Sequence, residues 1–245
     1  VTYEGAQAVV TEAKSKGMSA KDLAEAYGIS EAEITNMLSG LGASFDDAKN
    51  ALYKSYVDIG RKFGSADSAS VDLVNQGHTA GDLASYYMKN SKGDVVSNAT
   101  SFVATAKTNN LDLSQFITPL LTSSLEQITA TKGGEYDGTK AFYDILKQTG
   151  ISLNDAAKAL GMSSQDIETY SNKYGVSYDK DKNALYTVMA DLGSKFGLNR
   201  QTTADAVNSG YTLSNATADF FTNKGVSTAS ITEFLTSVSS AGISA

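Results

Sequence analysis

Between Phe45 and Phe63, apolar side chains fall at Phe45, Ala48, Leu52, Tyr56, Ile59 and Phe63. Steps of three and four place them along one stripe of an amphipathic helix. The stripe returns later in the chain at Tyr178, Leu185, Met189, Leu192 and Phe196. No window of comparable length alternates with period two, and Gly and Asn fall between helical patterns rather than in hairpin pairs. The pattern predicts an all-α protein built from short helices, with one longer helix in each half.

The short helices are separated by a recurring punctuation, seen first in GMSAKDLAEAYGIS (17–30). Gly17, Gly28, Gly161 and Gly225 suit the left-handed conformation that ends a helix, which a Cβ disfavours. Ser19, Ser30, Thr79, Ser152 and Ser163 are then placed to cap the next helix. Three positions on stand Asp22, Glu33, Asp82, Asp155 and Asp166, the spacing of a capping box beside the positive helix end. Each such cap contributes on the order of 1 kcal/mol. The residue between Gly and Ser, with its partner five positions later, has hydrophobic-staple spacing: Met18 with Leu23, Ile29 with Ile34, Met162 with Ile167, and Val226 with Ile231. His78 occupies the same slot, with Leu83 as its partner, and reads as a structural variant of an apolar position.

A larger period contains these units. Shifting the chain by 133 positions sets Tyr3–Gly64 on Tyr136–Gly197 without gaps, with 25 identities in 62 positions. Ordinary composition gives roughly four by chance. SFDDAKNALY (44–53) meets SYDKDKNALY (177–186), and DIGRKFG (58–64) meets DLGSKFG (191–197). A subrepeat of about 60 residues sets GMSAKDLAEAY (17–27) on GHTAGDLASYY (77–87), and GISLNDAAKAL (150–160) on GYTLSNATADF (210–220). Residues 107–134 have no partner and read as a connector, with Thr118 capping a helix that opens at Pro119. Thr131, Lys132, Gly133 and Gly134 mark the boundary, giving domains 1–131 and 132–245. Gly242, Ile243, Ser244 and Ala245 begin a further unit, so the chain is expected to come from a longer array.

KDLAEAYGISEAEITNML (21–38) and NDAAKALGMSSQDIETYS (154–171) resemble the helix-turn-helix of bacterial transcription regulators. The matching features are Ala24 in the first helix, Gly28 in the turn, then Ile29, the Ser30 cap and the Ile34 anchor. The resemblance implies a tri-helical packing and, in that family, a second helix laid in the major groove. Here the second helix offers Glu31, Glu33 and Asn36, or Ser164, Gln165, Asp166, Glu168 and Thr169, with no Lys or Arg among them. Phosphate affinity comes from Lys and Arg, so the pattern favours packing or protein contact over base readout.

Composition narrows the function further. Twenty Lys+Arg against 27 Asp+Glu give a net charge of −7, and charged residues are only 19% of the 245. An acidic surface repels phosphate backbones and anionic membranes. Without cysteine there are no disulfides, thiolate metal sites or cysteine nucleophiles, and with His78 alone a histidine-based metal site or triad has no partner. Asp46 with Asp47, and Asp179 with Asp181, read as acidic first turns. The start of a calcium loop at 179–183 fails at Ala184 and Ala190, where such a loop needs Gly and a bidentate Glu. Two NAT sequons stand at Asn98 and Asn215.

The candidate contact residues are the aromatic pairs Tyr86 and Tyr87, and Phe220 and Phe221. Adjacent helix positions differ by about 100° in facing, so one ring of each pair is free to point outward. The sequence leads to a non-catalytic helical repeat module of a larger secreted or cell-surface structural protein: a spacer, a stalk, or a self-assembling layer or filament subunit. Its partners are then other protein subunits or neighbouring repeats, with no membrane insertion and neither cofactor nor metal. The alternative is a DNA-associated or regulatory protein using the helix-turn-helix units.

Overall fold

The structure, a computed structural model, describes residues 2–243. Among the described residues there are fifteen α-helices, one 3-10 turn and no strand. The first seven are α1 (Tyr3–Ser15), α2 (Ala20–Tyr27), α3 (Glu31–Gly40), α4 (Asp47–Lys62), α5 (Asp67–Asn75), α6 (Ala80–Asn90) and α7 (Val95–Thr108). The 3-10 turn Leu113–Gln115 leads into α8 (Ile117–Thr131). Then follow α9 (Glu135–Thr149), α10 (Leu153–Leu160), α11 (Ser164–Lys173), α12 (Lys180–Ser194), α13 (Arg200–Asn208), α14 (Leu213–Lys224) and α15 (Thr228–Ser240). The chain divides into two compact units, 1–127 and 128–245, the division falling inside α8. Of the further unit expected at Gly242–Ala245, Ser244 and Ala245 lie outside the described residues.

Local chemistry explains the helix limits. Ser19, Ser30, Thr79 and Ser163 each accept from the backbone N–H three residues on, and the acidic side chain there accepts from the cap's own N–H. At Ser152 the hydroxyl likewise accepts from Asp155 N and donates to the Asp155 carboxylate at 2.6 Å. These bonds to the charged form hold the Asp22, Glu33, Asp82 and Asp166 carboxyls below the ordinary carboxylate range. Their contribution is therefore present above that range and is lost as pH falls through the lowered values.

One predicted conformation and one predicted boundary differ. Gly225 ends α14 with a positive φ, +74°, but its ψ of 164° lies outside the left-handed helical region, in a conformation essentially confined to glycine. Its carbonyl accepts from Ser230 Oγ at 2.7 Å, which fixes that geometry and turns Val226 outward. Val226 and Ile231 are both exposed. Helix α8 opens at Ile117, not at Pro119, because the preceding turn buries Phe116 completely and Leu120 N already donates to its carbonyl at 2.9 Å. Pro119 then stands third in the helix, where N–H groups have no intrahelical partner to lose.

The long helix is the hub of each unit. In the first, α4 packs against α5, α6 and α7; in the second, α12 packs against α13, α14 and α15. Burial on α4 is wider than the predicted stripe: Tyr53, Val57 and Ser55 are buried along with Tyr56 and Ile59, while Ala48 is exposed. A helix surrounded by others is covered on more than one face.

Polar ties recur at one spacing. Tyr53 OH donates to Asn75 Oδ1 and Asn75 Nδ2 to Ser39 O, at 2.5 and 3.0 Å. Tyr186 OH donates to Asn208 Oδ1 and Asn208 Nδ2 to Asn172 O, at 2.5 and 2.8 Å. Ser44 N donates to Asn50 Oδ1, as Ser177 N does to Asn183 Oδ1. Every residue in the second set stands 133 positions after its counterpart. Helices α2, α3 and α5 likewise begin and end 133 positions before α10, α11 and α13.

Ser55 is buried with its hydroxyl unbonded, and 133 positions later stands the buried Val188. An unpaired buried hydroxyl costs about 1–3 kcal/mol. Ser55→Ala is expected to raise the stability of the first unit by about 1 kcal/mol, read as a higher urea midpoint at unchanged slope. A lowered midpoint contradicts this reading of the hydroxyl.

Candidate protein-contact surface

The four candidate rings do not form one patch. Tyr87 and Phe220 point inward: Tyr87 lies against Phe63 and Phe102, and Phe220 against Phe196, Phe221 and Phe234. Phe221 is half-buried against Phe234, with ring centroids 5.4 Å apart. Only Tyr86 stands clear, 58% exposed, with its edge on Phe63. The two pairs are also out of step by one residue. At a spacing of 133, Tyr87 matches Phe220, while Tyr86 matches Asp219 and Met88 matches Phe221.

Exposed apolar side chains recur on the helix pairs α2–α3 and α10–α11. Ile34 and Leu38 of α3 face inward to join Leu23 and Ala24, which leaves Met37 half exposed beside the acidic face of Glu31 and Glu33. Tyr27, at the end of α2, is 63% exposed, and Ile29 in the turn is also exposed. On α10–α11 the exposed residues are Met162 and Tyr170, 133 positions after Ile29 and Met37. Sequence reasoning placed Ile29 and Met162 as staples without their outward edges, and it passed over Tyr27, Met37 and Tyr170. The available signal was apolar residues lying off the buried stripe.

Tyr170 is anchored rather than loose. Its OH donates to Glu135 Oε2 at 2.7 Å, and its ring meets Tyr174 edge-on at 5.1 Å. That bond, with the phenol's partial burial, pushes Tyr170 up to about 12. Burial raises Tyr3 and Tyr186 to about 12 as well. A phenol whose folded value lies above its unfolded value of 10 keeps its full contribution below pH 10 and loses it as pH rises through 12. The folded protein is therefore expected to ionise part of its 13 tyrosines only above pH 11 and to lose stability between about pH 10 and 12. The absence of tryptophan makes absorbance at 295 nm a direct readout. All tyrosines titrating together near 10 contradicts the burial described.

The remaining candidates have structural partners. His78 Nδ1 lies 3.9 Å from Asp82 Oδ2 on an exposed corner. Asp46 and Asp179 cap α4 and α12 through the N–H groups of Lys49 and Lys182, at 2.7 Å each, and Asp47 pairs with Lys14. Asn215 serves as the side chain of a capping box on Thr212. Among the described residues no three His, Asp or Glu side chains converge on a point, and no helix is long and apolar enough to cross a membrane.

The chain's two arginines do the same work from different places. Arg61, on α4, lies over the Tyr3 ring at 5.7 Å and pairs with Asp67 and Glu4. At the corresponding positions 133 on stand Ser194 and Arg200. Arg200, on α13, lies over the Tyr136 ring at 3.8 Å. In each unit an arginine thus lies over the tyrosine of the first helix, from α4 in one and from α13 in the other. No protein-family model, curated protein sequence or solved structure matches the chain.

Proposed function

We propose that the chain is a non-catalytic helical repeat module, made of two tandem copies of one unit about 133 residues long, that works as a structural element of a larger secreted or cell-surface protein. The observation that carries this reading is the matched internal bonding: one tyrosine–asparagine–carbonyl relay in each half, at one spacing, inside helices with matching limits. Compensated exchanges add to it. The arginine moves while its ring is kept, and Val10 with Leu38 gives way to Tyr143 with Ser171, a large–small swap at buried positions. Two chains of events that preserve a packing plan while its residues drift describe copies under one structural demand. Units that bury apolar surface against neighbours of their own kind build extended bodies.

The working surfaces are the outward faces of α2–α3 and α10–α11, with Tyr27, Met37, Met162 and Tyr170 meeting neighbouring protein units. The secreted or surface setting rests on composition: low charge, no cysteine, and many Ser, Thr, Asn and Gly. The helix-turn-helix alternative needs a cationic face. The second helices present Glu31, Glu33, Asn36, Gln165 and Thr169, with Lys173 only at the end of α11. Titration of a DNA duplex at low salt separates the two readings. No retention of the duplex is expected; retention with a steep salt dependence overturns the structural reading.

A further inference from the structure

The corner between α2 and α3 is acidic without relief. From Leu23 to Phe45 the chain carries Glu25, Glu31 and Glu33 and no Lys or Arg. Every residue from Glu25 to Glu33 is exposed, so Tyr27 and Ile29 stand out within an acidic frame. Glu33 is held at the Ser30 cap, and Met37, four positions on along α3, shares its side. Lys21 comes no nearer to Glu25 than 3.9 Å, and a pair so long on an exposed helix face leaves the carboxylate largely unneutralised.

The equivalent corner, between α10 and α11, keeps the apolar plan and gains cations. Met162 stands 133 positions after Ile29 and Tyr170 after Met37, each about half exposed. Glu25 is matched by Lys158, Glu31 by Ser164 and Gly40 by Lys173. The acid at the cap is kept as Asp166, which is bonded to Ser163, and Tyr170 and Lys173 follow it at steps of four and three on the same side. Lys158 and Lys173 are exposed, and among the described residues neither has a carboxylate partner. Lys173 instead lies over the Tyr174 ring at 5.3 Å, beside Tyr170.

Two surfaces that differ in this way fit each other better than either fits itself. An acidic corner laid on its own kind sets Glu25, Glu31 and Glu33 against like charges, and a lysine corner does the same with Lys158 and Lys173. One of each places opposite charges around the apolar side chains. We propose that the α2–α3 corner of one copy of the chain docks on the α10–α11 corner of another copy, so that the chain adds to itself head to tail. Tyr27, Ile29 and Met37 meet Met162 and Tyr170 for affinity, and the charges select which corner each accepts. A contact between unlike surfaces extends beyond the dimer, whereas a two-fold contact ends there. The proposal rests on the reading of these helix pairs as contact surfaces and names their partner.

Sedimentation at low salt compares the native chain with two double variants, Glu25→Lys with Glu31→Lys, and Lys158→Glu with Lys173→Glu. All four residues are exposed, and a helical far-ultraviolet spectrum with a cooperative thermal transition verifies folding. Each variant alone carries like charges on both corners and is expected to associate at least about tenfold more weakly than the native chain. An equimolar mixture is expected to restore association, because each corner of one variant then finds its opposite on the other. Both variants keep a net negative charge, so mixing supplies no general attraction. Variants that associate as the native chain does overturn the proposal, as does a mixture no stronger than its parts. A native chain monomeric up to about 1 mM overturns the proposal together with the contact reading, whereas native association indifferent to the reversals overturns this pairing alone.

Discussion

Phe102→Ala is expected to destabilise the first unit by about 3–5 kcal/mol, the range for removing a buried aromatic ring. Phe102 is fully buried and lies between Tyr87 and Phe116, at 5.7 and 5.1 Å. Its loss removes the ring that joins α6, α7 and the turn before α8. The neighbours cannot close the space, because each is itself a ring held by a further contact: Tyr87 on Phe63, Phe116 at the start of a helix. Single domains are stable by about 5–15 kcal/mol, so the variant is brought near the unfolding threshold. Urea denaturation followed by tyrosine fluorescence reads the change as a shifted midpoint. Phe234→Ala in the second unit is expected to lose less, since Phe234 retains 7% exposure where Phe102 retains none. A larger loss at Phe234 than at Phe102 contradicts this difference in burial.

Gly42→Ala is the second large loss, expected at about 2–5 kcal/mol from two additive causes. Gly42 has φ +80°, a left-handed conformation that an L side chain enters at a cost of about 1–2 kcal/mol. An added Cβ would also fall well inside contact distance of Val71 Cγ2, and 3.0 Å from Tyr3 Cδ2. Val71 is buried and the Tyr3 ring is held beneath Arg61, so neither gives way freely. Gly175, 133 positions later, has φ +73° but meets only Ala204 Cβ at 3.1 Å as its nearest neighbour. Gly175→Ala is therefore expected to lose chiefly the conformational share. Thermal midpoints of the two variants measure the contrast, and a larger loss at Gly175 contradicts the packing around Val71.

The helix starts were legible because a cap is a local device. Ser30 and Glu33 meet across one turn whatever surrounds them, as do Thr79 and Asp82. The all-α class followed from the spacing of apolar residues for the same reason. What surrounds a helix was not legible. The breadth of burial on α4 depends on helices packing around it, and the first expected start of α8 missed because Phe116 is drawn inward by Phe102, fourteen residues earlier. For each aromatic pair the sequence left open which ring faces outward, since adjacent helix positions differ by about 100°. Tyr87 and Phe220 are core residues, and Tyr86 alone is left outside. The exposure of Tyr27, Met37, Met162 and Tyr170 was hidden for a related reason. Periodicity marks the face a helix buries and is silent about apolar residues left on the other.

The most direct test of the structural reading is sedimentation equilibrium of the full chain from about 1 μM to 1 mM, in low salt and again at about 0.5 M salt. Apolar faces that meet neighbouring protein units predict reversible association that persists at high salt and is weakened by Tyr27→Ser with Met37→Ser. A chain that remains strictly monomeric at every concentration and in both salts contradicts the account.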